Sequence, residues 1–381
     1  MPPQFGLVLP LWDYADRPEW LDRVAGEIGL DHLTVPVITG PVESFRLARA
    51  IPPDSAAAPY FATEGGWHFP PNAKSYSSTG VRPTKARWFG AADVLGRLAE
   101  HLARLGVRLV ARVELRDVSA LLHAEEHLAQ RNAWGQPILS AGLCVCNPIA
   151  RELLRATLDD LGRYSPALVE IADWVIDAPA AGGQHAPLTW QAAAQRLLTY
   201  CFCPACKDIA ARAGVDPDQA ARSGQVELAA AFGHGSPGSE EVLEGYVRVR
   251  RADNAGWIEA LPAIQAERAL ILVENGAGAP SQLGVGPPNP RRSMLRVRPV
   301  PETWAKPLEP VNGAMLLPYN GLSIPVGPPL FESGPLLVRY LTEAVRAGIK
   351  YFDLEGLAEL APECVTWVKQ ATRFARREER P

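Results

Sequence analysis

Short apolar runs alternate along this chain with stretches of helical period. Residues 5–12, Phe-Gly-Leu-Val-Leu-Pro-Leu-Trp, form an apolar run ending at Asp13, the pattern of a buried strand. After Arg17-Pro18-Glu19, apolar residues recur at Trp20, Leu21, Val24 and Ile28, a helical spacing that Gly29 stops. A second apolar run, 31–38, is closed by Thr39-Gly40. Strand, helix and strand in so short a span argue for a parallel βαβ unit.

The same rhythm continues to the C-terminus. A helix over 91–105 stops at Gly106, and a strand over 107–115 carries Glu114 near its end. A helix over 149–164 precedes a strand over 167–173 that ends in Asp173. Ser239-Glu240-Glu241 reads as an N-cap with acids in the first turn, opening a long helix to about 264. Strands are expected over 268–274 (ending in Glu274), 294–298, 312–320 and 349–354, with helices over 332–347 and 362–377. Eight strands with crossovers predict an α/β fold, a (β/α)8 TIM barrel with long βα-loop insertions. An open doubly wound sheet would place a Gly-rich phosphate turn after an early strand, and no Gly-x-Gly-x-x-Gly stands there. With no internal repeat and no clean linker, residues 1–381 read as a single barrel domain, with loop insertions at about 40–85 and 177–238. The first insertion is rich in proline, yet Tyr60, Phe61, Trp67, His68, Phe69 and Tyr76 argue that it is ordered. It is expected to cover the C-terminal mouth of the barrel. The stretch 216–238 reads as irregular.

Composition narrows the partners. A net charge of −4 gives no electrostatic reason to expect nucleic acid. No run approaches the ~18 apolar residues of a membrane span. The start lacks the basic and apolar regions of a signal peptide, and the six cysteines are mostly clustered rather than spread as a secreted disulfide framework. A cytoplasmic localisation is the expectation from these absences; oligomeric state is not legible.

Several pieces together carry a resemblance. They are Phe5 to Trp12, the segments around Tyr60-Phe61 and from Phe69-Pro70 to Arg82-Pro83, and Asn132-Ala133-Trp134-Gly135. Leu143-Cys144 with Asn147-Pro148, the run Leu168 to Asp173, and Cys201-Phe202-Cys203-Pro204-Ala205-Cys206 complete the set. On these the chain resembles uncharacterised bacterial glycoside-hydrolase-like TIM-barrel proteins with a Cys-Phe-Cys-x-x-Cys motif. The resemblance implies the barrel and a carbohydrate as the small-molecule partner. Two departures stand out: Thr39-Gly40 occupies the place where such proteins tend to carry a histidine, and of a His/Glu-rich loop after the fourth strand only His185 is kept.

Barrels place chemistry at the C-terminal ends of their strands. Glycoside hydrolysis needs two carboxylates across the scissile bond, one at the anomeric carbon and one to protonate the leaving oxygen. Asp173 and Glu274, after the fourth and fifth strands, match the nucleophile-then-acid/base order of α-amylase-type barrels, by analogy of fold. Asp13, Glu114, Tyr319, Asn320 and Asp353 join them at strand ends, and Trp12, Trp67, His68 and Trp134 offer flat faces for a sugar. Glu114, Tyr319, Asn320 and Asp353 with these aromatics are the expected substrate-binding set. Strand-end acids also cap helices and pair with arginines, and loop aromatics also pack for their own sake. A non-catalytic carbohydrate-binding or degenerate barrel is therefore the alternative. Glu170, inside the fourth strand, points either into the barrel or against a helix, and if buried it needs a partner. The reaction requires no cofactor. Cys201, Cys203 and Cys206 could hold a structural zinc with Cys144, Cys146 or His234 as fourth ligand, or could be buried thiols. A catalytic cysteine has no histidine paired to it in sequence.

Overall fold

The apolar runs become strands because alternate residues face two different environments, one between sheet and helices and one inside the sheet's curl. The strands are β1 (Gln4–Val8), β2 (His32–Thr39), β3 (Val42–Phe45), β4 (Tyr60–Thr63), β5 (Gly66–Trp67), β6 (Arg108–Val113) and β7 (Ala129–Arg131). They continue as β8 (Pro137–Leu143), β9 (Leu168–Ala172), β10 (Ala269–Asn275), β11 (Ser293–Arg298), β12 (Gly321–Pro325) and β13 (Tyr351–Glu355). This computed structural model describes residues 2–45, 60–115, 118–172, 174, 197, 200–236, 238, 240–264, 269–275, 293–298, 321–327, 331–346, 348–360 and 362–378.

The main sheet is curled and parallel. Its ladders run β1, β2, β6, β9, β10, β11, β12, β13 in chain order, and β13 pairs back in parallel with β1. The short β5 adds to the C-terminal end of β2 in antiparallel register, Ile38 opposite Trp67. The pairs β3–β4 and β7–β8 form separate two-stranded sheets. Helices Pro18–Ile28, Val94–Leu105, Pro148–Leu161, Glu240–Ile264, Gly334–Arg346 and Pro362–Arg377 lie between or after the parallel strands. What joins β10 to β11 and β11 to β12 falls outside the described residues.

The outward strand residues Phe5, Leu7, Leu33, Val35, Val37, Val113, Val169, Ile171, Phe352 and Leu354 are almost wholly buried and form the core beneath the helices. Each such side chain contributes about 1.5–3 kcal/mol by leaving water. The last helix fastens the chain's two ends together. Arg376 donates to the Ile28 and Gly29 carbonyls and to Asp31 at 2.8 Å, while its guanidinium lies over Phe5.

Two expectations change here. The stretch read as irregular, 216–238, contains the helix Pro217–Ala231. Asp216 caps it by accepting from the Asp218 and Gln219 amides, and Pro217 takes the first helical position. Its scattered apolar residues and Gly224 hide the helical period. The seventh ladder position is filled by Gly321–Pro325, whose bounding glycine and proline look like a loop; 312–320 lies outside the described residues.

Candidate functional site

Inside the curl the inward positions build a polar column. Gly6 leaves the space that makes it possible: a Cβ there would lie 2.2 Å from the His32 ring. His32 Nε2 is 2.9 Å from Asp353 Oδ1, and its ring stacks on Tyr351. The Thr34 hydroxyl donates to the same carboxylate, 2.9 Å from each oxygen. Higher up, Arg112 Nε lies 2.7 Å from Glu170 Oε1, off the N–H axis, so this is an ion pair rather than an aligned hydrogen bond. Other guanidinium nitrogens of Arg112 reach Glu355 at 3.4 Å and Asp353 at 4.0 Å. The Ser323 hydroxyl also donates to Glu355. Glu170 thus has the partner its burial demands, since an isolated buried carboxylate is too costly to keep. Glu355 is the last residue of β13 and its side chain keeps 14% exposure, so the column opens toward the C-terminal ends of the strands.

At those ends the described residues form an aromatic and acidic rim. Trp12 and Asp13 sit on the helix Leu11–Asp16, directly after β1, and both are buried. Trp12 meets His68 edge-to-face at 5.4 Å, and Phe89 meets the imidazole edge-to-face at 6.0 Å. His68 Nε2 is 2.8 Å from Thr39 Oγ1, while the Thr39 hydroxyl donates to the Gly40 carbonyl. Thr39 has one proton to give, so Nε2 carries the imidazole proton and donates to it. Nδ1 is then bare, and it is buried without a hydrogen-bond partner. Burial lowers the His68 pKa to about 4, against a small opposing pull from Glu64. An imidazole therefore stands beside Thr39, supplied by the insertion rather than by β2.

The remaining expected residues are more dispersed. Trp67 is fully buried and meets Tyr76 edge-to-face. Glu114 follows β6, half-buried, with its amide donating to Ile38. Trp134 is 54% exposed at the tip of the β7–β8 turn. Asp353 lies wholly inside the column rather than at its rim. Glu274 is in β10, in register with Val297 of β11. Asp173, which follows the last residue of β9, and Tyr319 and Asn320 lie outside the described residues. Trp174, directly after Asp173 in the chain, is buried, stacks on Trp257 at 5.5 Å and accepts from the Asn254 amide through its carbonyl. Trp174 is thereby tied to the helix Glu240–Ile264.

The cysteines converge. Cys144, Cys201, Cys203 and Cys206 are buried, and their four sulfurs lie within 4.8 Å of one another, a group that could hold a metal ion. Cys144 follows β8; Cys203 and Cys206 open the helix Pro204–Arg212. His234, an alternative fourth ligand, is exposed and outside the group. Arg112, Glu355 and His32 were not singled out from sequence. The signals were present: a charge inside the apolar run Arg-Leu-Val-Ala-Arg-Val, and the alternation Tyr351, Asp353, Glu355 in the last strand.

No protein-family model matches the chain, and no curated protein matches it in sequence. Among solved structures, α-L-fucosidase isoenzyme 2 from Paenibacillus thiaminolyticus is similar with a TM-score of 0.50 and 10% identity, over 98% of this chain and 49% of that one. A β-N-acetylhexosaminidase is similar with a TM-score of 0.48 and 12% identity, over 98% of this chain and 74% of that one. α-L-Fucosidase AlfC from Lactobacillus casei follows with a TM-score of 0.41 and 10% identity, over 99% and 97% of the two chains. The chain spans about half the length of the first fucosidase. The likeness to the first fucosidase is one of fold alone.

Proposed function

We propose that this chain is a (β/α)8 barrel that takes a carbohydrate at the C-terminal mouth and cleaves a glycosidic bond there. The observation that carries the reading is the cyclic order of eight parallel ladders, each strand pairing with the next and the last with the first. The fold likeness to the fucosidase over 98% of this chain supports it. Strand ends hold acids rigidly while the loops around them vary, which is how such barrels acquire chemistry. In this reading Asp173 stabilises or attacks the anomeric carbon, and Glu274 protonates the leaving oxygen and then activates water. Trp12, Trp134, Glu114, Tyr319 and Asn320 are the proposed substrate-binding residues; Trp67, His68 and Asp353 are buried, so in this reading they shape the site from behind it.

The second reading, a barrel that binds sugar without cleaving it, draws on the engagement of Glu170, Glu355 and Asp353 with Arg112, which commits three carboxylates to structure. The two readings part in one experiment. Asp173→Asn and Glu274→Gln keep shape while removing the charge or the transferable proton. Under the first reading each abolishes turnover of an activated aryl glycoside, with unchanged circular dichroism. Unchanged turnover in either variant would remove that residue from the chemistry.

A further inference from the structure

Four sulfurs from two segments far apart in sequence meet in the interior, and nothing in the sugar reading accounts for them. The segments are excursions that leave the C-terminal ends of neighbouring strands. Cys144 belongs to the one following β6, and Cys201, Cys203 and Cys206 belong to the one following β9. Cys144 Sγ lies 3.5 Å from both Cys203 Sγ and Cys206 Sγ, and the whole group fits within 4.8 Å. A tetrahedral ion with metal–sulfur bonds of about 2.3 Å separates its sulfurs by about 3.8 Å, so the quartet has the size of such a shell. A disulfide would need sulfurs about 2.05 Å apart, and all six cysteines are free.

The surroundings suit thiolates rather than neutral thiols. The backbone amides of Arg131 and Cys203 point at Cys201 Sγ, at 3.3 and 3.4 Å. A neutral thiol is a weak acceptor, whereas a metal-bound thiolate sulfur attracts such donors. Cys203 is the N-cap of the helix Pro204–Arg212 and Cys206 lies in its first turn, where the helix dipole favours negative charge. The peptide is also held in place independently of any metal. Phe202 N donates to the Arg131 carbonyl at 2.7 Å, Tyr246 donates its hydroxyl proton to the Cys201 carbonyl, and Arg151 Nε donates to the Val145 carbonyl beside Cys144.

We infer that Cys144, Cys201, Cys203 and Cys206 bind one zinc ion, which clamps the excursion after β6 to the excursion after β9. Binding replaces four S–H protons with the divalent cation and leaves two negative charges on the shell. Arg250 is buried with its guanidinium over the ring of Tyr246, the residue whose hydroxyl donates to the Cys201 carbonyl. The set is closed by four protein ligands, so the ion is structural, with no open position for water or substrate. Cys146 borders the group and His234 is exposed; neither is a ligand. The inference stands apart from the reading of the sugar site.

The test uses the full chain purified under reducing conditions. Elemental analysis is expected to find about one zinc per chain. Exchange into cobalt(II) should give thiolate-to-metal charge-transfer absorption and the intense visible bands of a tetrahedral site. Cys203→Ser and Cys144→Ser should each retain less than about a tenth of the zinc, while Cys146→Ser and His234→Ala retain all of it. Should the serine variants not fold, the cobalt spectrum of the wild type still decides. Wild type that is metal-free and takes up no cobalt overturns the inference. So does iron in place of zinc, a disulfide within the quartet by mass, or loss of zinc in Cys146→Ser with retention in Cys144→Ser.

Discussion

Acidification should destabilise this fold through His68, and replacing that ring should remove the effect. The ring is wholly buried, its protonated Nε2 is committed to Thr39, and a second proton would have to sit on Nδ1 with no acceptor nearby. In the unfolded chain the imidazole titrates near 6.5, and in the fold burial brings it down to about 4. Between those values the unfolded state holds the proton and the native state does not. The stability linked to His68 is therefore complete above about pH 6.5 and is lost as pH falls toward 4. The full difference corresponds to about 3 kcal/mol, of which about 2 kcal/mol is gone by about pH 5. Other groups titrate in the same range, so the informative quantity is the wild-type loss minus the loss in His68→Gln, whose amide can still donate to Thr39. Urea unfolding at about pH 7.5 and about pH 5 measures it. Wild type should lose about 2 kcal/mol more than the variant. Parallel losses in the two proteins would refute the reasoning, and so would a smaller loss in wild type.

Two further perturbations probe the polar column. Gly6→Ala places a methyl 2.2 Å from the His32 ring, so thermal unfolding should show a cost of about 1–3 kcal/mol or more, partly recovered in Gly6→Ala with His32→Ala. Arg112→Met removes the guanidinium that lies against Glu170, Glu355 and Asp353, at a cost of about 3–5 kcal/mol by urea unfolding. Adding Glu170→Met should restore part of that loss, because removing both charges is cheaper than stranding one.

The strands were legible where sheet and helices bury them on both sides, because Phe5 to Val8 and Leu33 to Ile38 leave few polar positions to confuse the pattern. Gly321–Pro325 does not read as a strand because its inward residues, Gly321 and Ser323, serve the polar column and not an apolar core. The helix Pro217–Ala231 carried a clear Asp-Pro start signal but only a weak apolar stripe. For the site, sequence marks where strands end but not what meets inside the curl. Arg112 sits one strand away from Glu170 and far in sequence from Glu355, and no local spacing joins the three. The cysteines show the same limit in milder form: the local Cys-x-Cys-x-x-Cys was visible, whereas the choice of Cys144 over Cys146 or His234 came from the three-dimensional arrangement.

In the proposed reading the C-terminal mouth receives a carbohydrate, and Asp173 and Glu274 act on it. The most direct test of that reading is hydrolysis of a broad panel of aryl glycosides by the wild-type chain, with calorimetric titration of the corresponding free sugars alongside. Turnover of at least one member is expected, with heat of binding from its sugar that survives in Asp173→Asn while turnover disappears. A wild-type chain that neither cleaves nor binds any member of the panel would contradict it.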